Sequence, residues 1–248
     1  MEITVHEFPD MKSLSVQSAR HIAGLIKESI ESKGRCIISL SGGSSPRLVY
    51  EKLSNPEIYA GIDWSRVFIF WGDERYTGHT SEESNYYMAY RALLSKVSIP
   101  QENIFRVPVE VEPAKYAAVL YERIMEKFFM SMGAVDAKKR MPVFDIVLLG
   151  IGADGHTASL FPGHEVVNEK KRWVVSLEAP EGNRERITMT IPVLNSACSV
   201  IFIVSGSGKG KIIRSVLEER GADKKDYPAS KIIPETGTVW FVDKRAVK

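Results

Sequence analysis

Short, continuously apolar runs recur along the chain, separated by longer segments in which apolar residues return every three or four positions. R-C-I-I-S-L (35–40), R-V-F-I-F-W (66–71), F-D-I-V-L-L (144–149) and S-V-I-F-I-V (199–204) are the clearest runs. They are apolar throughout rather than alternating, which predicts strands of a parallel sheet covered on both faces. Further strands are expected at 3–8, 104–107, 173–178, 186–190 and 238–242. Helical period predicts helices at 11–32, 46–54, 84–95, 113–132 and 209–219. The first carries Leu14, Ile22, Leu25, Ile26 and Ile30 on one face, with Asp10 as N-cap and Gly34 as stop. In the fourth, Leu120, Ile124, Phe128 and Met132 are spaced four apart. The stretch 133–142 is expected to be a mobile loop, too short for a domain linker. One α/β domain over 1–248 is the simplest account: a single doubly wound, mostly parallel sheet with helices on both faces.

Composition narrows the class without naming a chemistry. Of 248 residues, 44 % are hydrophobic and 26 % charged, the profile of a soluble globular protein. Thirty-three basic and 31 acidic residues give a net charge of +2, so nothing favours nucleic acid or an anionic membrane as partner. A small anion needs only a few local cations. Cys36 and Cys198 both sit among apolar residues and are expected to be buried free thiols in a reducing compartment. The start lacks the pattern of a signal peptide and no apolar run reaches membrane length, so a cytoplasmic protein is expected.

In a doubly wound sheet, ligands bind beyond the carboxyl ends of the strands, and four loops there carry unusual chemistry. S-G-G-S-S-P (41–46) joins a strand to a helix. Gly42 and Gly43 let backbone N–H groups approach an anion, Ser44 or Ser45 can donate a hydroxyl, Ser41 is a further candidate for substrate contact, and the helix N-terminus adds positive potential. A tight turn with serine caps would need less, so a phosphate cradle is favoured. G-D-E-R (72–75) sets Asp73 and Arg75 at a strand end; a solvated corner is the alternative to substrate contact. In S-G-S-G-K-G-K (205–211), Lys209 suits a phosphate or a solvated turn, but Lys211 lacks the glycine and hydroxyl residue of a P-loop.

The remaining loop, G-I-G-A-D-G-H (150–156), matches the spacing G-x-G-x-x-G. A preceding strand favours a dinucleotide site, as does Glu178 downstream. Against it, Asp154 would face a pyrophosphate, and Pro162 and Gly163 leave no room for a crossover helix. His156 instead reads as a general base, since an imidazole titrates near pH 6.5, with Asp154 or another acceptor fixing its tautomer. A metal site of Asp154, His156 and His164 meets no ligand spacing. His6 and His21 read as structural.

Taken together, these loops resemble the 6-phosphogluconolactonase family over nearly the whole chain. The residues are S-G-G-S-S-P (41–46), G-D-E-R with S-N (72–75 and 84–85), D-G-H-T-A-S-L-F-P-G (154–163), R-x-T (186–188) and G-x-x-K (206–209). Ser45 stands where the family has threonine. Thr77-Gly78 stands where Val-Pro often follows, which opens the path of the 76–83 loop. The resemblance implies hydrolysis of a phosphorylated sugar lactone without a cofactor. His156 would act as base, and Gly42, Gly43, Ser44 and Lys209, with Arg186 or Arg75, would hold the phosphate. Two other expectations are weighed beside it. A glucosamine-6-phosphate deaminase would continue D-G-H as I-A-F-N-E-P and carry tyrosine in place of Arg75. A sugar-phosphate-sensing regulatory domain would carry a helix-turn-helix segment ahead of the first strand, and a strand beginning at residue 3 leaves no room for one.

Overall fold

The computed structural model describes residues 2–180, 184–218 and 227–247. The chain opens with β1 (Ile3–Phe8), α1 (Met11–Lys33), β2 (Cys36–Leu40), α2 (Ser44–Leu53) and the single turn α3 (Pro56–Tyr59). It continues through β3 (Val67–Trp71), β4 (Asp73–Arg75), α4 (Asn85–Ala92), α5 (Ala114–Ser131) and β5 (Ile146–Leu149). The last part holds β6 (Val174–Glu178), β7 (Glu185–Met189), α6 (Ile191–Leu194), β8 (Val200–Val204), α7 (Gly210–Glu218), β9 (Thr238–Asp243) and α8 (Lys244–Val247). The helix expected at 209–219 runs one residue past the described ones.

Six strands form a wholly parallel sheet in the order β1-β9-β8-β5-β2-β3. Every residue of β2, β5 and β8 is buried, as expected of apolar runs covered on both faces. From β2 the chain moves outward to β3, while from β5 it moves the other way to β8. The order therefore reverses between β2 and β5, and a crevice opens beyond their carboxyl ends. The functional loops 41–46 and 150–156 leave from these two strands.

Two expectations about strands are corrected. Strands 173–178 and 186–190 do not join the main sheet. As β6 and β7 they build a separate antiparallel sheet with β4, in the order β4-β7-β6. The segment 104–107 is not a strand, since only Ile104 bridges to Ile69 before Pro108 interrupts pairing. The helical segment 84–95 ends at Leu93, whose φ of −135° leaves the helix. The loop 133–142 is closed by a Val135–Pro142 bridge and by Asp136 accepting from the amides of Lys138 and Lys139.

Helix α1 begins and ends as its sequence predicts. Asp10 accepts from the Ser13 amide at 2.7 Å, and Gly34 takes the left-handed conformation that ends the helix. His6 and His21 pack beside the Phe241 ring, a structural place for both. Cys36 is buried, but Cys198 is exposed, contrary to expectation: it lies just before β8, at the sheet's amino edge, where its side chain meets Lys33. Among the described residues no helix is long and apolar enough to cross a membrane.

Candidate active site

The first wall is the β2–α2 turn. At Ser41 the chain has left the sheet, and the buried Tyr50 hydroxyl replaces the lost ladder partner. It accepts from the Ser41 amide at 2.9 Å and donates to the Ser41 carbonyl at 2.8 Å. Gly43 caps α2 without any side-chain hydrogen bond, so the first amides of the helix are left free of a side-chain acceptor. Ser45 and Ser205 share a 2.6 Å hydroxyl contact that ties this turn to the β8–α7 turn. There Lys209 stands half-buried just ahead of α7. Burial pulls its ammonium below the ordinary lysine range, with Asp243 acting in the opposite direction.

The β3–β4 segment forms the second wall. Tyr121 braces Trp71 as Tyr50 braces Ser41: its hydroxyl accepts from the Trp71 amide at 2.9 Å and donates to the carbonyl at 3.2 Å. Asp73 is buried, and its carboxylate accepts from Ser159 Oγ at 2.7 Å. Glu74 points the other way, into the protein. Its two oxygens accept from the amides of Arg75, Asn85 and Tyr86 and from the Ser84 hydroxyl. Burial raises this carboxyl above the usual range, and those amide bonds oppose the rise. Arg75 donates to the Glu83 carbonyl at 2.9 Å and faces Arg186 across the β4–β7 pair. Arg186 is held below the ordinary arginine range, first by burial and then by Arg75, against the pull of Asp73.

The third wall is the loop after β5. Gly152 N donates to the His156 carbonyl at 2.9 Å, and Thr157 Oγ1 donates to the Gly150 carbonyl at 2.8 Å, folding the loop on itself. Asp154 Oδ1 accepts from the His156 amide at 3.1 Å and lies 2.6 Å from Nδ1. A proton on Nδ1 shared with the carboxylate leaves the Nε2 lone pair free. The ring rests over Gly152, where an added methyl would sit 2.2 Å from Nδ1 and Cε1. The glycine spacing here makes room for an imidazole. His164 is not turned toward His156; its Nδ1 accepts from the Val166 amide at 3.3 Å. Among the described residues no three His, Cys, Asp or Glu side chains gather as a metal site.

These walls enclose a cavity of about 190 Å³. Ser41, Gly42, Gly43, Ser44, Asp73, Arg75, His156 and Lys209 all line it. Asp154 stands behind the imidazole. Arg186 is the exception among the expected residues: it sits on β7 as the cross-strand partner of Arg75 and does not line the cavity. A wider cavity of about 470 Å³ adjoins through Gly43, Ser44, Arg75 and Asn85. Asn85, Glu74, Ser159 and the two tyrosines were not singled out from sequence. The local signals were the motifs themselves: Asn85 in the S-N pair at 84–85, Glu74 in G-D-E-R and Ser159 in D-G-H-T-A-S-L-F-P-G.

A family model described as glucosamine-6-phosphate isomerases/6-phosphogluconolactonase matches residues 9–241. A 6-phosphogluconolactonase from Nostoc sp. is 37 % identical over 246 residues, 99 % of this chain and 98 % of that one. The chloroplastic 6-phosphogluconolactonase 3 of Arabidopsis thaliana is 38 % identical over 95 % of this chain and 71 % of its own. Among solved structures, 6-phosphogluconolactonase from Thermotoga maritima superposes with a TM-score of 0.82 at 27 % identity, covering 98 % of this chain and all of that one. A monomeric glucosamine-6-phosphate deaminase has a TM-score of 0.80 at 22 % identity over 99 % of this chain and all of its own, which shows a shared fold.

Proposed function

Because the chain belongs to the glucosamine-6-phosphate isomerase/6-phosphogluconolactonase family, we propose that it hydrolyses 6-phospho-D-glucono-1,5-lactone to 6-phosphogluconate, in the oxidative branch of the pentose phosphate pathway. The observation that carries this is one cavity with an imidazole, backed by a carboxylate, on one wall and an uncapped helix N-terminus with a free lysine on another.

The substrate's phosphate dianion lies against the amides of 42–45, with Ser44 and Lys209 completing the cradle. Arg75 and its cross-strand partner Arg186 add positive potential. The lactone carbonyl then faces His156. Nε2 takes a proton from water as its oxygen attacks the carbonyl carbon. The negative charge that develops on the carbonyl oxygen is stabilised by the Arg75 guanidinium. Collapse of the tetrahedral species breaks the ring C–O bond, and the imidazolium returns its proton to the departing oxygen. Asp154 holds the imidazole in the useful tautomer and stabilises its charged form. No covalent enzyme intermediate is needed, since neither Ser41 nor Ser44 stands in a nucleophile elbow. The reaction needs no cofactor. Free thiols suit a reducing compartment such as the cytoplasm, although some relatives are named chloroplastic.

The deaminase alternative is less well supported. This chain continues D-G-H as T-A-S-L-F-P and carries Arg75. Incubation with the phosphorylated lactone and, separately, with glucosamine 6-phosphate distinguishes the two. Acid release above the spontaneous rate is expected from the first and no ammonia from the second. Ammonia release without lactone hydrolysis would replace the proposed activity with deamination.

A further inference from the structure

Asn85 lies at the first position of α4, is 3 % exposed, and borders both the small cavity and the wider one beside it. Two acceptors on one residue fix the orientation of its amide. Nδ2 donates to the Asp73 carbonyl at 2.9 Å and lies 3.4 Å from Asp73 Oδ1. Turning the amide over would press its oxygen against both of these oxygens, so the nitrogen must face Asp73. Oδ1 therefore faces away from Asp73, toward Gly42. It is the amide atom nearest that residue: a methyl group on Gly42 would sit 1.9 Å from Oδ1. Among the described residues, Oδ1 receives no hydrogen bond. The backbone behind it is held as firmly, because the Asn85 amide donates to Glu74 Oε1 at 2.7 Å and Glu74 also accepts from Ser84 and Tyr86.

This is an acceptor kept ready for a donor that the protein does not supply. Everything around it is spent on orientation: one carboxylate holds its backbone, Asp73 fixes its nitrogen, and Gly42 gives up a side chain to make room. In a cavity that takes a sugar phosphate, the missing donor is a hydroxyl of the sugar. We propose that Asn85 is a specificity-determining residue whose Oδ1 accepts a hydrogen bond from one ring hydroxyl of the lactone. This rests on the lactonase activity proposed above. An acceptor held in place on a side chain only 3 % exposed discriminates strongly, because an analogue lacking the hydroxyl leaves it unpaired.

The test is a cycle of variants against analogues. The wild type and Asn85→Ala are assayed on 6-phosphogluconolactone and on three analogues lacking the hydroxyl at C2, C3 or C4. For one position, wild-type kcat/KM is expected to fall about tenfold or more when the hydroxyl is absent, and Asn85→Ala is expected to show no more than about a twofold difference. If Asn85→Ala slows all four lactones by the same factor, the residue is structural and the proposal is overturned. Should that variant fail to fold, Gly42→Ala replaces it: its methyl displaces the same amide and is expected to erase discrimination at the same position. Equal slowing of all lactones by Gly42→Ala would likewise overturn the proposal. A wild type inactive on 6-phosphogluconolactone marks a different failure, that of the lactonase activity itself, and is seen before any variant is compared.

Discussion

The two ends of the central sheet treat charge in opposite ways. At the amino end, Asp145 is buried just before β5 and its demand is met within the protein. Lys33 Nζ approaches to 2.5 Å, and the Ile37 amide donates at 2.7 Å. Burial pulls the Lys33 ammonium down, but Asp145 outweighs it and holds the group above its usual range. At the carboxyl end, Arg186 and Lys209 have no ion-pair partner among the described residues, and burial pulls both below theirs. Arg75 even faces Arg186 directly across two strands, an arrangement that weakens a sheet. A cation that makes no ion pair is stabilised by whatever anion arrives, whereas a paired one has little left to offer. The difference separates a structural charge from a binding one without reference to any motif.

The largest effect should come from the catalytic wall at the carboxyl end. His156→Asn is expected to lower kcat by about 10²–10⁴ with KM little changed, measured after subtraction of spontaneous hydrolysis. Asp154→Asn should lower kcat less. In the wild type, kcat/KM should fall toward acid pH, because only neutral imidazole accepts a proton. Near-normal kcat in the histidine variant would move the base to Asp73.

Next in size is the loss of an unpaired cation. Lys209→Ala should raise KM for the phosphorylated lactone about 10- to 100-fold, the worth of a charge-assisted hydrogen bond. Arg186→Ala, measured alongside, ranks the two cations. The unphosphorylated lactone should be a poor substrate in kcat as well as KM, because remote binding energy positions the reacting carbonyl. Equal kcat/KM for the two lactones would show that no phosphate cradle exists.

A smaller effect follows from burial of that lysine. Since its ammonium titrates below the ordinary range, it loses its proton earlier as pH rises. KM should therefore climb on the alkaline side at lower pH than an ordinary lysine would give, and Lys209→Arg should remove the climb. At the amino end, Asp145→Asn should cost about 1–3 kcal/mol of stability, read by denaturant unfolding, because it removes a buried carboxylate that accepts from the Lys33 ammonium and the Ile37 amide. Its kcat and KM should stay at wild-type values. Smallest of all, chelator dialysis should leave activity intact and NAD or NADP should not raise Tm, although saturation at a hundred times Kd would add about 2.7 kcal/mol.

What the sequence disclosed depended on how far apart partners lie along the chain. Asp154 and His156 are two residues apart, so their pairing could be read directly. Asp10 with Ser13 and the stop at Gly34 could be read for the same reason. The apolar runs of β2, β5 and β8 were plain because burial on both faces leaves no other composition. Partnerships across the fold left no local trace: Ser159 reaches Asp73 across 86 positions, and Tyr121 reaches Trp71 across 50. The second sheet stayed hidden because β4 is three residues long and its pairing with β7 is set by tertiary contact. Glu74 looked like one charge in a charged corner. Its burial follows from Ser84, Asn85 and Tyr86 returning to it, which no spacing rule anticipates.

The hydroxyl contact between Ser45 and Ser205 has a kinetic meaning. Two turns that leave from different strands are joined before any ligand is present, so the cradle does not have to assemble around each incoming dianion. Ordering two glycine-bearing turns at every encounter would otherwise be charged against affinity. A tied cradle should capture its ligand in a single step, with an association rate that scales linearly with ligand concentration and shows no plateau. Cutting the tie with Ser45→Ala should bring such a plateau into view, as closure of the two turns becomes a slow event of its own.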